Sequence, residues 1–205
     1  MQTDLSLLKN YLQKLYPVSD ADFEKLASVL FIREFKAKER LISENELEEN
    51  LFFVVKGVIR KYFLRDKHEI ITQFFVEGDF ANEVVSFFTG NPSRYFMEAI
   101  EPSLCLGINK NVLENFLAEM PELEKVYRLV LAKLYVRKEL HEYHKARQTK
   151  QERFLSFCDE QSGLLQRVPQ KYLASYLEIA PETFCRMKHV RYKAAKKAAG
   201  ADSLN

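Results

Sequence analysis

VPQKYLASYLEIAPETFCRMK (168–188) is the stretch from which the rest of the chain can be read. Two short helices are predicted within and just beyond it, Gln170 to Leu177 and Pro181 to about Lys193, with only Glu178-Ile179-Ala180 between them. A gap that tight turns the second helix sharply against the first, as in a helix-turn-helix. Pro181 suits a first helical position, where its missing N–H leaves no bond unmade. On the second helix Phe184, Met187 and Val190 fall on one side, suited to packing. Glu182, Arg186, His189 and Lys193, spaced i, i+4, i+7 and i+11, fall on another.

A polar, mostly basic face opposite an apolar one is what a helix needs to enter the major groove of double-stranded DNA. Arg186 can donate two hydrogen bonds to guanine O6 and N7, and Glu182 can accept one from cytosine N4. Gln170, at the start of the preceding helix, can hold a phosphate. Lys188, Arg191, Lys193, Lys196 and Lys197 would add phosphate contacts that position the protein without specifying sequence. Any one of these residues also suits an ordinary amphipathic surface helix; the combination favours a polyanion. The charge is distributed accordingly. Residues 146–205 carry eleven Lys and Arg against six Asp and Glu, while the first 145 carry twenty against twenty-three.

Working outward, Leu5, Leu8, Leu12 and Leu15 form a helical stripe ended by Pro17, and Ser19 can cap a second helix that turns Phe23 and Leu26 inward. Residues 31–108 change character. FFVVKGVIRKYF (52–63), EIITQFF (69–75) and MEAIEPSLCLGI (97–108) are short β-branched and aromatic runs. Arg65-Asp66-Lys67 resembles a hairpin tip and Glu77-Gly78-Asp79 a turn. Strands so short suggest a small antiparallel barrel or roll. From Glu122 to about Lys145 nothing breaks a helix, which would extend roughly 35 Å. It has two apolar stripes: Leu123, Tyr127, Val130 and Leu134, and Leu129, Val136, Leu140 and Tyr143. One can cover the β region; the other needs a partner, most economically a second copy of the chain. The first stripe is the expected dimer interface. Two domains follow: 1–145, a β-roll with the long helix, and 146–205, a small helical domain.

Composition bounds the alternatives. The chain has 205 residues, 47% hydrophobic and 29% charged, with three Cys. Cys105, Cys158 and Cys185 lie far apart, so no disulfide framework is expected, and a reducing, cytoplasmic setting fits. No secretory leader and no membrane-spanning run is read in the sequence. His68 is the single His of the β region, and no Gly-flanked Ser or phosphate-binding Gly loop occurs, so an enzyme is not expected. His141 and His144 are spaced i, i+3 without a third ligand, so no metal is expected.

The chain resembles the Crp/Fnr family of bacterial transcription regulators. In the amino-terminal part the likeness rests on LFFVVKGVIRKYF (51–63) and FFVEGDFANEVVSFFTG (74–90). In the carboxy-terminal part it rests on TKQERFLSFC (149–158) and on 168–188, where Ala174, Ser175, Leu177, Ile179, Glu182, Thr183 and Arg186 match the helix-turn-helix pattern. The resemblance implies an α+β protein: an antiparallel β-roll sensor domain of the cyclic-nucleotide-binding type, a long dimerisation helix and a DNA-binding domain. It implies base contacts from Glu182 and Arg186, a phosphate contact from Gln170, and Thr183 among the DNA-binding residues. It also brings in RNA polymerase as a further partner. Pro181 stands where many members carry Arg, and Glu178 replaces a common turn Gly. If that backbone needs φ > 0, Glu178 costs roughly 1 kcal/mol. Past Arg191 the family supplies a β-hairpin wing, whereas YKAAKKAAG (192–200) has helical character, so a reduced or absent wing is expected.

In nucleotide-binding members a Gly-Glu pair opens a short helix and an Arg some ten residues later meets the cyclic phosphate. Here Glu83 matches the acid, Asn82 replaces the Gly, Ser93 occupies the Arg position and Arg94 follows it. A one-residue slip on a strand reverses the face to which a side chain points. Lys138 and Glu139 stand where adenine-binding members carry small hydroxyl residues. Asn82, Glu83, Ser93 and Arg94 are therefore the candidate effector pocket, cyclic AMP is not expected to be the effector, and no cofactor is expected. A second reading remains: a sensor module acting through protein partners, its DNA-binding domain having lost DNA affinity.

Overall fold

The β-branched and aromatic runs pair as antiparallel strands in two four-stranded sheets. The computed structural model describes the backbone of residues 2–201 and the side chains of 5–191 and Lys193. The strands are β1 (Phe31–Phe35), β2 (Arg40–Ile42), β3 (Asn50–Lys56), β4 (Ile59–Arg65), β5 (His68–Phe75), β6 (Phe80–Ala81), β7 (Phe96–Ala99) and β8 (Ser103–Asn109). One sheet runs β1-β8-β3-β6 and the other β2-β7-β4-β5. The β4–β5 hairpin closes at Asp66 and Lys67, both at positive φ, as the tip at 65–67 suggested. This is the β-roll expected from the sequence.

Alternation along β3 builds two cores from one strand. Phe52 and Val54 point between the sheets, where they join Ile59, Phe75, Met97 and Cys105. Phe53 points the other way, into a layer with Leu106. That layer is covered by α1 (Gln2–Gln13), α2 (Asp20–Ser28) and α5 (Pro121–Arg147), through Leu8, Leu12, Phe23, Leu123, Val126 and Val130. Ser19 caps α2 by accepting from the Asp22 N–H, as its position implied. The short α3 (Val84–Thr89) and α4 (Lys110–Glu119) complete this region.

By internal contacts the chain divides into two compact units, Met1–Leu140 and His141–Asn205. The second holds α6 (Lys150–Glu160), α7 (Leu164–Arg167), α8 (Gln170–Tyr176) and α9 (Pro181–Ala201). Its centre is Phe154 against Phe184, ring centroids 5.4 Å apart and nearly perpendicular. A reciprocal Thr149–Glu152 cap starts α6. Past Arg191 the chain stays helical to Ala201, in keeping with the expected loss of a wing.

The dimer stripe expected at Leu123, Tyr127, Val130 and Leu134 is corrected by this packing. Leu123 and Val130 are buried in the first unit's own core, Leu134 packs beside them, and Tyr127 lies against the small cluster of Phe87, Ile108 and Leu113. The two stripes of α5 have similar spacing, and the β-roll takes this one. The exposed apolar side chains of α5 are Tyr135, Val136, Leu140 and Tyr143.

Gly57, between β3 and β4, adopts φ +109°, and a Cβ there would lie 2.1 Å from Ser103 Oγ and 2.7 Å from the Ser103 Cα. Gly78 also has positive φ, +87°, but open space around it. Gly57→Ala is expected to destabilise by about 3 kcal/mol and Gly78→Ala by about 1 kcal/mol. Urea unfolding checks the pair; equal losses would mean that the Ser103 backbone gives way.

Candidate functional site

The turn of the second unit is built by hydrogen bonds that end α8. The Glu178 N–H donates to Ser175 O and the Ile179 N–H to Ala174 O, the pattern of a Schellman stop, which places the residue after the C-cap Leu177 in the left-handed region. That residue is Glu178, at φ 56°. The positive φ anticipated for the Gly-replacing Glu is therefore present. Its carboxylate accepts from Lys145 Nζ at 2.7 Å and lies 3.4 Å from Arg153 Nη1. The hydrogen bond from Lys145, with the two neighbouring positive charges, holds its pKa below the usual carboxylate value.

Beyond this turn, Phe184 is fully buried, and it sets the rotation of α9. Glu182, Cys185, Arg186, His189, Val190 and Lys193 are exposed, spaced as one helical stripe. Thr183, Met187 and Lys188 are half-buried at its margins. Glu182, Arg186, His189 and Lys193 thus share one surface, as expected. One expectation is corrected: Val190, expected to pack inward, is 62% exposed. Arg191, expected to contact a phosphate, donates here from Nη2 to Asp159 Oδ1 on α6 at 2.6 Å. The side facing α6 therefore runs Phe184–Met187–Arg191, and a guanidinium with a carboxylate partner closes it. Gln170 is exposed at the first position of α8, and its Oε1 accepts from Cys185 Sγ at 3.1 Å. The side chains of Lys196 and Lys197 lie outside the described residues.

In the first unit the candidate effector residues separate. Glu83 is 1% exposed and caps α3, its carboxylate accepting from the Val85 and Ser86 N–H groups. It also pairs with Lys61 Nζ of β4 at 3.0 Å. Burial pushes the Glu83 pKa up, but the Ser86 N–H, the Lys61 charge and hydrogen bond, and the Val85 N–H outweigh it and hold the acid below its ordinary value. Burial lowers the pKa of Lys61, opposed by Glu83. Glu48, also buried, accepts from the Glu83 N–H at 3.1 Å and the Asn50 N–H at 3.2 Å, while its own N–H donates to Ser86 Oγ at 2.9 Å. Burial raises the Glu48 pKa to about 7 despite those bonds.

Asn82 is buried beside Glu83 in sequence. Ser93 is buried too, but its Oγ donates to Tyr95 O and accepts from the Tyr95 N–H, while its backbone pairs with Asn45 and Glu46. Arg94 is exposed. It lies in a bend before β7, and the partners of the Glu83 carboxylate among the described residues are Lys61, Val85 and Ser86. Sequence reading missed Lys61 and Glu48. The available signal was Arg60-Lys61, two cations inside an otherwise apolar strand.

Among the described residues no group of three or more His, Cys, Asp or Glu is placed to hold a metal ion, and no helix is long and apolar enough to cross a membrane. His141 stacks on Tyr176.

Residues 32–120 match the family model of the cyclic nucleotide-binding domain. No curated protein matches the chain. Among solved structures, the chain is similar to FixK2 from Bradyrhizobium japonicum, at 21% identity and a TM-score of 0.67 over 82% of this chain and 86% of that one. It is similar at 14% identity and a TM-score of 0.67 to the c-di-GMP-responsive global regulator CLP of Xanthomonas campestris, over 86% of this chain and 93% of that one. The catabolite activator protein of Thermus thermophilus matches at 15% identity and a TM-score of 0.52, over 90% and 88% of the two chains. At these identities the likeness is one of fold. It covers both units of the chain, whereas the family model covers the β-roll and α4.

The raised Glu48 pKa has a consequence of defined sign. An acid whose folded pKa exceeds its unfolded value contributes stability below about pH 4.5, and this is lost as pH rises through about 7. The wild type should lose up to roughly 3 kcal/mol across that window relative to Glu48→Gln, which does not titrate. Urea unfolding at pH 5, 6 and 7.5 checks this; a difference between the two proteins that does not change with pH refutes it.

Proposed function

We propose that the chain is a homodimeric transcriptional regulator of the Crp/Fnr type, acting in the cytoplasm. It reads a two-fold symmetric operator in the major groove through α9, without cyclic AMP. The observation that carries this reading is the exposed stripe of α9, which holds Arg186, Glu182, His189 and Lys193 on one surface behind a helix-turn-helix turn. Arg186 pairs with guanine and Glu182 accepts from cytosine. Lys188 and Lys193 serve phosphates, as does the amide of Gln170 once it leaves the Cys185 thiol. Arg191 reaches a phosphate only by leaving its surface ion pair with Asp159, a small cost. RNA polymerase remains a further partner implied by the resemblance. The fold shared with FixK2, CLP and the catabolite activator protein supports the assignment without supplying the operator.

Independence from cyclic AMP is supported by what surrounds Glu83. A cyclic phosphate needs a cation and free N–H groups, and a ribose hydroxyl needs a free carboxylate. Lys61 is already paired with Glu83, the Val85 and Ser86 N–H groups are already bonded to it, and Arg94 points to solvent. The dimer forms through the outer stripe of α5, with Val136, Leu140 and Tyr143 as a coiled-coil-like seam. Replacing Leu140 with Glu should convert the dimer to monomer in sedimentation velocity and abolish operator binding; a dimer that survives the charge places the seam elsewhere.

Fluorescence anisotropy against genomic fragments, titrated with salt, tests the DNA reading. Binding should weaken steeply as salt rises. Arg186→Ala should lose at least tenfold in discrimination between its best site and random DNA, whereas Lys188→Ala should weaken all sequences alike. An Arg186→Ala protein that selects as well as wild type removes the specificity assignment. Absence of any DNA affinity favours a sensor acting through protein partners.

A further inference from the structure

A cavity of about 70 Å³ lies within the first unit, between the β3–β8 face and the helices over it. Leu12 of α1, Phe53 of β3, Leu106 of β8, Leu113 of α4, and Val126 and Val130 of α5 are among its walls. Every lining side chain is hydrocarbon except that of Tyr127, whose ring carries one hydroxyl. Neither Glu48, Lys61 nor Glu83 lines it, so it is separate from the buried polar cluster beside α3.

The lining decides what such a space can hold. A buried water needs two to four polar partners, and these walls offer at most one hydroxyl, so water is poorly held. The volume is several times the roughly 10–15 Å³ that admits one water. It is about half that of an engineered apolar cavity of roughly 150 Å³ that stays dry and binds benzene or xenon. A nucleotide is excluded by size and by charge. We infer that this cavity is a binding site for a small, uncharged, apolar molecule, in the size class of xenon or a short hydrocarbon. Leu123, Val126, Tyr127 and Val130 line it along two turns of α5, so an occupant touches the inner side of that helix directly. The inference stands apart from the DNA-binding reading and holds or fails without it.

Methyl-labelled full-length protein, pressurised with xenon and separately with cyclopropane, tests it by NMR. Saturable single-site shifts are expected at the methyls of Leu106, Leu113, Val126 and Val130, with no saturable shift at the exposed Val190. Val130→Leu adds a methylene to the wall and should reduce xenon affinity at least threefold. Leu12→Ala enlarges the space and should raise it, which keeps the test decisive should Val130→Leu fail to fold. Shifts that do not saturate, shifts spread evenly over all methyls, or an affinity unchanged in either folded variant would overturn the assignment.

Discussion

The burial of Phe184 against Phe154 is the contact on which the carboxy-terminal surface depends. A helix lying on its neighbours has one rotational freedom, and a large buried ring removes it. Once Phe184 faces inward, the 100° step per residue decides which side chains reach solvent. Arg186 and Glu182 face outward together because they sit four residues apart, on the side Phe184 does not occupy. The ion pair from Arg191 to Asp159 repeats the same orientation two turns later. Surface ion pairs contribute little stability, typically below about 1 kcal/mol. This one agrees with the rotation already set by the ring; it does not need to create it.

The amino-terminal unit is organised around a different constraint, the burial of charge. Glu83 sits where the first N–H groups of α3 need an acceptor, and a buried carboxylate needs a cation. Lys61 supplies it from β4, 22 residues away, and Glu48 accepts the Glu83 N–H. Among the described residues no ammonium is bonded to Glu48, and burial raises its pKa to about 7, so it carries only part of its charge near neutrality. This arrangement satisfies itself. A site that binds an anion needs donors that are unmet in the free protein, and here those donors already have partners.

How much of this was legible in the sequence follows from the range of each interaction. Local signals were readable: the Ser19 cap, the hairpin tip at 65–67, the break at Pro17, and the tight turn between α8 and α9. The β-roll was readable as short β-branched and aromatic runs, though their pairing order was not, since β1 pairs with β8 across some seventy residues. Periodicity found both apolar stripes of α5 but could not say which one the β-roll would cover, because the two have similar spacing. Polarity suggested Val190 inward and Arg191 outward. The structure reverses them because a long arginine stem can lie along a helix interface when a carboxylate waits at its end. The Lys61–Glu83 pair was beyond reach, because it depends on where β4 passes α3.

Glu178 shows how a turn can keep its geometry after losing the residue that suits it best. The hydrogen bonds that stop α8 require a left-handed residue at that point, and Gly meets the requirement without strain. Glu at φ 56° carries roughly 1 kcal/mol of strain. Lys145 and Arg153 hold its carboxylate, but at its exposure each pair returns only about 0.2–1 kcal/mol. Strain and ion pairing therefore nearly cancel. What holds the bend is the packing on either side of it: Leu173, Leu177 and Ile179 are buried, and Phe184 begins the next helix from the same core. The backbone adopts the left-handed conformation because the alternative would pull those apolar groups into water. Each buried Leu or Ile is worth about 1.5–3 kcal/mol, more than the strain it enforces.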